Sequence, residues 1–494
     1  MSRTERDALG ELTLPDEAYY GVQTARAVVN FPVSGLKASP DLIRAYSFVK
    51  KAAALANVEL RVLDSEKGKA IARAADEILE YWDCHGFPRD CHGFPPRKTV
   101  TVPCPNPETV AVPEAGCPRF PDDQFPVDVF QAGAGTSFNM NVNEVIANRA
   151  LELLGRSRGD HAFIGPNDHV NMSQSSNDTF PTACHLAVIF AADRLRPYLS
   201  SLAIAFEAKG GEFGAIRKVG RTHLMDALPL KLGDEFRAWS VALKRAGERL
   251  EQRKADLLEV AVGGTAVGTG VNAPTGYRSL VIAKLSALTG LALVQARDSF
   301  EVLQSRAQLA AFSGALRELA QELGRIANDL RLLGSGPLAG LGEISLPAVQ
   351  PGSSIMPGKV NPSLPECLNM ICFQVIGNDH VVSLAAQTGQ LELNVFAPVM
   401  AHNILSSLSL LSNFLPIFTE RCVAGIKADE ARCRAYLDLN PSLVALLAPK
   451  IGYLAAAELA GEALAQRMSV RQLVMEKGLV SAAEAERLFG AEVG

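Results

Sequence analysis

Apolar residues that recur at alternating spacings of three and four constrain the fold of this chain more than any other feature. One unbroken series consists of Leu309, Phe312, Leu316, Leu319, Leu323, Ile326, Leu330 and Leu333. An earlier series consists of Phe236, Trp239, Leu243, Ala246 and Leu250. This spacing places each series on one narrow side of an α-helix, the geometry of long helices that pack at shallow angles. Several such helices in one chain predict an elongated helix bundle rather than a simple coiled-coil dimer.

The composition suits closely packed helices and narrows the class of protein. Of the 494 residues, 48% are hydrophobic, 20% are charged and only 6% are aromatic, and the apolar content is mostly Ala, Leu and Val. A chain of this length is expected to fold as about two to four domains. The formal net charge of −5 argues against a nucleic-acid-binding protein, which normally carries a surplus of basic residues.

The ends of the chain and its cysteines predict a cytoplasmic protein without a membrane partner. The first ten residues, MSRTERDALG, lack the apolar core of a secretory signal. The apolar stretch at 402–419 is interrupted by Asn403, Asn413 and Pro416, which favours a buried helix over a membrane span. The nine cysteines are odd in number and form no even framework, so we expect reduced thiols.

Periodicity and turn residues predict three domains. The N-terminal domain, 1–172, mixes short helical and irregular segments, the central domain, 173–429, is a helix bundle, and 430–494 is a small helical domain broken at Asn440–Pro441. A capping box of Ser481 and Glu484 opens its last predicted helix. An insertion at about 83–121 holds nine of the 28 prolines and the near-repeat DCHGFPR, DCHGFPP. Its adjacent Cys-His pairs do not have the usual zinc spacing, so we favour a surface insertion or a duplication artefact over a metal site.

The segment GSSIMPGKVNP, residues 352–362, is a predicted functional loop. Its glycines and prolines exclude the interior of a helix or a strand. It carries two hydroxyls, a lysine and an asparagine, which can bind a small anion. A phosphate-binding P-loop is excluded, because Gly352 and Gly358 are separated by five residues and Val360 follows the lysine.

Four other short segments have the composition of a polar site. They are GAGTSFNMNVN (133–143), QSSNDTFPT (174–182), GRTHLMD (220–226) and GGTAVGTGVN (263–272). The segment 174–182 precedes a helix that is predicted to begin at Pro181. The segment 220–226 lies at the predicted N-terminal end of the helix that contains Phe236. Taken alone, the first two segments are better explained by helix capping through Ser, Thr and Asn, and a lone histidine such as His223 is more often structural than catalytic.

Together these segments make the chain similar to the aspartase/fumarase superfamily, whose signature loop resembles GSSIMPGKVNP. GRTH, QSSNDTFPTA, GGTAVGTG and GPLAGLGEI are further matches, and the resemblance extends from YYGVQTARAVVNFP (Tyr19–Pro32) to the region of Tyr453. It implies a mainly α, three-domain fold whose central long helices form the twenty-helix core of a homotetramer. It also implies active sites that draw residues from three subunits.

Within the superfamily, DDQFPVDVFQAGAG (122–135) and NPSLPECLNM (361–370) resemble the aspartases, whereas QSSNDTFPTA resembles the fumarases. The balance favours reversible elimination of ammonia from L-aspartate to give fumarate, through abstraction of a Cβ proton and an aci-carboxylate intermediate. The alternatives are a class II fumarate hydratase and a non-catalytic scaffold, as in some lens crystallins. The expected partner is a small dicarboxylate. No organic cofactor is implied, and the sequence offers no metal-ligand cluster, although the resemblance leaves activation by Mg²⁺ open.

The resemblance also assigns roles to single residues. Ser353 is implied to be the base, acting as an alkoxide, although the residues alone leave Ser354 as a rival. The implied substrate-binding residues are Thr136, Ser175, Ser176, Asn177, Thr222, Lys359 and Asn361. Lys359, Asn361 and Thr222 are implied to bind one carboxylate. The implied ligands of the carboxylate that gains charge, or of the amino group, are Thr136, Ser175, Ser176 and His223, with Asn177 assisting. Glu366 is implied to orient His223, and the glycines predict that the loop closes over substrate.

Overall fold

The computed structural model describes residues 2–85 and 122–489 and confirms a mainly α chain, 63% of it helical. The helices are α1 (Val22–Asn30), α2 (Pro40–Glu59), α3 (Ser65–His85), α4 (Thr136–Leu153), α5 (Ser176–Glu212), α6 (Leu232–Asp256), α7 (Tyr277–Thr289), α8 (Glu301–Gln304), α9 (Ala307–Leu333), α10 (Ser363–Gln387), α11 (Ala397–Arg421), α12 (Glu430–Leu439), α13 (Ala448–Ile451), α14 (Tyr453–Gln466), α15 (Val470–Glu476) and α16 (Ala482–Phe489). The predicted insertion at about 83–121 lies, beyond His85, outside the described residues.

Short strands join in pairs to form two-stranded sheets. The strands are β1 (Ser2–Asp7), β2 (Gly10–Pro15), β3 (Arg217–Thr222), β4 (Met225–Lys231), β5 (Glu259–Val260), β6 (Val294–Gln295), β7 (Ile344–Ser345) and β8 (Lys427–Ala428). The β5–β6 pair is parallel, and the other three pairs are antiparallel. These sheets are small additions to a helical protein.

The chain forms two compact units. The first unit comprises Met1–Leu195, Arg249–Arg317 and Val375–Ser409, and the second comprises Arg196–Glu248, Glu318–Gln374 and Leu410–Gly494. Each of the long helices α5, α6, α9, α10 and α11 therefore contributes one part to each unit. The three domains expected from the sequence divide the chain differently and stay a prediction.

The core of the first unit is organised around α2. Ser39 Oγ accepts a hydrogen bond from the Asp41 N–H and Pro40 occupies the first turn, so α2 begins with a side-chain cap and a preorganised φ. Tyr46, fully buried on α2, meets the ring of Phe138 at a centroid distance of 5.5 Å and that of Phe180 at 5.9 Å, both edge to face. These contacts tie the starts of α4 and α5 to α2.

In the second unit, an aromatic cluster joins α5 to α6. The rings of Phe213 and Phe236 meet edge to face, with their centroids 5.1 Å apart. The ring centroid of Trp239 lies 5.7 Å from that of Phe206 and 4.7 Å from that of Phe236. All members of the two apolar series predicted from the sequence are buried, on α6 and on α9, with at most 7% of any residue exposed. Periodicity alone therefore located these two helices and their buried sides.

The remaining helix predictions are confirmed in part. The chain breaks after α12 at Asn440–Pro441, and Ser481 Oγ accepts a hydrogen bond from the Glu484 N–H at 3.2 Å, which is one half of the predicted capping box. The stretch 402–419 belongs to α11, with Pro416 inside the helix. Within the described ranges, no helix is long and apolar enough to cross a membrane.

Three local predictions were wrong. The N-terminal region is not limited to short helical and irregular segments, because it contains the β1–β2 hairpin and the long helices α2, α3 and α4. Helix α5 begins at Ser176 rather than at Pro181, since a proline is tolerated in the first turns, where few N–H groups have partners within the helix. Thr222 and His223 do not lie at a helix entry, because β4 separates them from α6.

Candidate active site

The loop 352–362 lies in the second unit and is closed at its base. The Gly352 N–H donates to the Lys359 carbonyl at 2.8 Å, and Asn361 Nδ2 donates to the Gly352 carbonyl at 2.7 Å. A Cβ atom at Gly352 would lie 2.5 Å from the Asn361 nitrogen, so only glycine fits here. The base of the loop is therefore fixed, while its tip, including Ile355, projects into solvent.

Backbone N–H groups of the loop converge on Ser353. Its Oγ atom accepts hydrogen bonds from the N–H of Met356 at 2.9 Å and from the N–H of Ile355 at 3.2 Å. Ser353 is half-buried, whereas Ser354 is exposed and, in the part of the chain that the structure describes, receives no hydrogen bond at Oγ. Two fixed dipoles that point at one oxygen favour its anionic form. The geometry thus distinguishes between two serines that the residues alone could not separate.

Lys359 and Asn361 form a pair at the base of the loop. Lys359 Nζ donates to Asn361 Oδ1 at 2.6 Å, and the lysine is exposed. An ammonium group has three N–H donors, so this bond leaves others free for a carboxylate. Behind the pair, a pocket of about 650 Å³ is lined by Val360–Pro362, the segment 334–346 and the start of α12.

Thr222 and His223 lie at the tip of the β3–β4 hairpin, which belongs to the second unit. His223 has φ 56° and Leu224 has φ 61°, so both central residues of the turn are left-handed without being glycine. Thr222, His223 and the neighbouring Leu224 and Met225 are all exposed. Strained, exposed turn residues of this kind are concentrated at functional sites.

Glu366 lies in the first turn of α10, also in the second unit. Its Oε1 atom is 4.0 Å from Arg331 Nη2. Among residues 2–85 and 122–489 of one chain, no hydrogen bond joins Glu366 to His223. The expected orientation of His223 by Glu366 therefore stays a prediction.

The other predicted binding residues lie in the first unit, where two segments meet. The hydroxyls of Thr136 and Ser176 are 3.1 Å apart. Gly135, with φ 68°, permits this approach, since a Cβ atom there would lie 1.9 Å from the ring of Phe180. The start of α4 and the start of α5 thus present their hydroxyl groups together.

The first turn of α5 carries the rest of this polar group. Ser175 Oγ accepts a hydrogen bond from the Asn177 N–H at 3.2 Å, and Asn177 Nδ2 donates to the carbonyl of Ala266 at 2.8 Å. Ser175 therefore caps its own helix, as the alternative explanation held, and still lies beside Ser176 at the positive end of the helix dipole. This hydrogen bond places the segment 263–272 beside the first turn of α5.

A buried lysine, Lys50, escaped the sequence prediction. It is fully buried in α2, and its Nζ atom donates to Asn139 Oδ1 at 2.7 Å, Gln174 Oε1 at 2.9 Å and Asn171 Oδ1 at 3.1 Å. Burial lowers the pKa of Lys50 to about 7. The detectable signal was its position in the apolar face of α2, four residues after Tyr46.

The predicted site residues thus fall into two sets. The first unit holds Thr136, Ser175, Ser176 and Asn177, and the second unit holds Thr222, His223, Ser353, Lys359, Asn361 and Glu366. Across the described ranges, no group of three or more His, Cys, Asp or Glu side chains could hold a metal ion. The free cysteines at 184, 372, 422 and 433 are buried.

Comparison with known protein families gives the class of this protein. A family described as lyase matches residues 119–377, and the C-terminal domain of fumarase C matches residues 443–493. With the serine-bearing loop and the long helices, these matches define a lyase.

The individual relatives are lyases of two kinds, aspartate ammonia-lyases and class II fumarate hydratases. The chain is 44% identical to an aspartate ammonia-lyase of Bacillus subtilis over 98% of this chain and 94% of that protein. It is 43% identical to a class II fumarate hydratase of Thermosynechococcus vestitus over 100% of this chain and 97% of that protein.

Solved structures agree with the sequence relatives. A fumarate lyase:delta crystallin from Brucella melitensis superimposes with a TM-score of 0.88 at 46% identity, over 99% of both chains. A class II fumarase from Schistosoma mansoni superimposes with a TM-score of 0.89 at 34% identity, over 99% of this chain and 98% of that one. The chain belongs to the aspartase/fumarase superfamily.

Proposed function

We propose that this lyase eliminates ammonia from L-aspartate to give fumarate. The observation that carries the chemistry is the convergence of two backbone N–H groups on Ser353 Oγ. A serine that removes a proton from carbon must act as an alkoxide, and such an oxyanion needs preorganised donors. The resemblance of residues 122–135 and 361–370 to the aspartases supports aspartate as the substrate.

In the proposed reaction, Ser353 takes the proton from Cβ of aspartate. The electron pair of that C–H bond moves into the adjacent carboxylate, which becomes the dianionic aci-carboxylate. The hydroxyls of Thr136 and Ser176, 3.1 Å apart, donate to this growing charge, while Lys359 and Asn361 bind the other carboxylate. The electron pair then forms the double bond as the C–N bond breaks. The amino group, which is protonated in the substrate, leaves as neutral ammonia. Ser353 then releases the abstracted proton to solvent, where ammonia takes up one proton to become ammonium.

We further propose a homotetramer in which several chains complete each site. Helix α10 supports this assembly, because it leaves apolar side chains exposed at helical spacing, among them Met370, Phe373, Val381 and Leu384. Exposed apolar surface of this kind marks interaction sites. The exposed hairpin tip that carries His223 is also free to enter the site of a neighbouring chain.

The experiment is to follow fumarate by its ultraviolet absorbance with L-aspartate and, separately, with L-malate. Formation of fumarate from aspartate and not from malate is the expected result. Turnover of malate alone would replace this proposal with fumarate hydration, the second candidate, which the relative from Thermosynechococcus vestitus and the segment QSSNDTFPTA favour. Turnover of neither substrate would leave a non-catalytic scaffold.

A further inference from the structure

The carboxylate of Asp178 is fully buried in the first turn of α5, directly after Asn177. Its Oδ2 atom accepts hydrogen bonds from the N–H of Thr265 at 2.8 Å and of Gly263 at 2.9 Å. Its Oδ1 atom accepts a third from the N–H of Ser175 at 3.1 Å. One side chain thereby joins two backbone segments that are far apart in sequence.

Each of the two segments that Asp178 connects contains a residue with an unfavourable, left-handed backbone conformation. Ser173 has φ 64° and Thr265 has φ 57°, the left-handed region that costs free energy for residues other than glycine. The amide of Asn177 adds a second connection, to the Ala266 carbonyl at 2.8 Å. Asp178 and Asn177 together hold the start of α5 against residues 263–266.

The negative charge of the Asp178 carboxylate is stabilised by backbone N–H groups and not by a cation in contact with it. Burial raises the pKa of Asp178 to about 6, against the effect of its three N–H donors. The positive charge of Lys50 lowers the pKa of Asp178, but the hydrogen bonds of Lys50 Nζ go to amide oxygens and not to this carboxylate. Asp178 also faces the phenols of Tyr46 and Tyr277, whose pKa values are raised mainly by burial and in addition by this carboxylate. An apolar side chain would fill this space at lower cost, so the carboxylate is explained by the bonds it makes.

We propose that Asp178 is a positioning residue, which holds the Ser175–Asn177 segment in the geometry that binds a substrate carboxylate. This role rests on the proposed function, because those residues are its substrate-binding group. Asp178 itself makes no contact with substrate. It acts by fixing where the hydroxyls of Ser175 and Ser176 lie.

The test is Asp178→Asn, which keeps the size of the side chain but replaces one acceptor oxygen with an NH₂ group. We expect KM for the substrate to rise about tenfold or more, with a smaller fall in kcat, because the binding hydroxyls are displaced. The matched control is Asp41→Asn, another buried first-turn carboxylate, which is paired with Arg194. This control should lower stability and leave KM within about twofold. An unchanged KM in Asp178→Asn overturns the proposal.

Hydrogen exchange separates this inference from the proposed function. In Asp178→Asn, and not in Asp41→Asn, the amides of Gly263 and Thr265 should lose protection. If Asp178→Asn does not fold, hydrogen exchange in the unsubstituted protein tests the inference. The amides of Gly263 and Thr265 should then be the most protected of residues 263–272. Rapid exchange there overturns the inference. An unsubstituted protein that turns over neither aspartate nor malate but shows this protection defeats the proposed function and retains the positional role of Asp178.

Discussion

At the residue scale, backbone geometry favours Ser353 over Ser354 as the proposed base. The two serines are chemically identical neighbours, but only Ser353 Oγ receives N–H donors among the described residues of the loop. The closed base, formed by Gly352, Lys359 and Asn361, holds those donors in place. A hydroxyl becomes a useful base only where its anion is stabilised before substrate arrives.

Ser353→Ala is expected to lower kcat by about a hundredfold or more, because the proposed proton acceptor is removed. Steady-state rates of fumarate formation measure the effect, with light scattering to show that the assembly is unchanged. Ser354→Ala is the matched control and should retain a rate within a fewfold of the unsubstituted protein. Equal losses in the two variants would remove Ser353 from its assigned role.

At the element scale, the starts of helices carry several predicted site residues and several buried hydrogen bonds. Helix α4 begins after Gly135, helix α5 begins at Ser176, and the N-terminus of α1 is held by the buried carboxylate of Glu144. Each start places N–H groups where an oxygen can accept from them. The structural demands at these positions are therefore strict.

Gly135→Ala is expected to destabilise the first unit by about 3 kcal/mol, because the new Cβ atom would overlap the ring of Phe180 and the backbone is left-handed. Gly461→Ala, at an exposed position of α14 with open space around it, should instead stabilise by about 0.5–1 kcal/mol. Chemical denaturation of both variants measures the difference. A neutral Gly135→Ala would show that Phe180 can move aside.

Glu144 predicts a pH dependence of stability. It accepts hydrogen bonds from Gly21, Gln23 and Thr24, yet burial raises its pKa from 4.5 to about 7. The folded state therefore binds this proton more tightly than the unfolded chain, so the free energy of unfolding falls as pH rises from about 4.5 to about 7, by an amount on the order of 3 kcal/mol.

Glu144→Gln removes this titration while keeping the shape of the side chain. The stability of the unsubstituted protein relative to Glu144→Gln should therefore be greater at about pH 5 than at about pH 8. Urea denaturation of both proteins at each pH measures it. The same difference at both values would contradict a raised pKa in the folded state.

At the scale of the whole molecule, the predicted site residues lie in two separate compact units. Under the proposed homotetramer, residues from different chains complete each site. The exposed apolar side of α10 and the strained, exposed turn at His223 both support that proposal.

Subunit complementation tests this arrangement. Ser353→Ala and Ser175→Ala should each be nearly inactive alone. Refolded as a mixture, they should regain activity well above either parent, because some sites then receive an intact Ser353 and an intact Ser175 from different chains. The control is each variant refolded alone. A mixture no more active than its parents would show that both residues of a site come from one chain.

Local sequence determined much of this protein. The apolar series fixed α6 and α9 and their buried sides, because helical periodicity is a property of neighbouring residues. Turn residues marked the loop 352–362 as a polar site, since glycine and proline exclude regular structure. The order of short polar segments indicated the superfamily, and the comparisons confirmed it.

The tertiary structure decided what depends on distant partners. The hydrogen bonds that favour Ser353 required the folded loop. Lys50 and Asp178 each bond to residues more than eighty positions away in the sequence. The β3–β4 hairpin was missed because its pairing and its strained turn, without glycine, carry little local signal. Periodicity and turn chemistry are written in adjacent residues, whereas hydrogen bonds between distant segments exist only once the chain has folded.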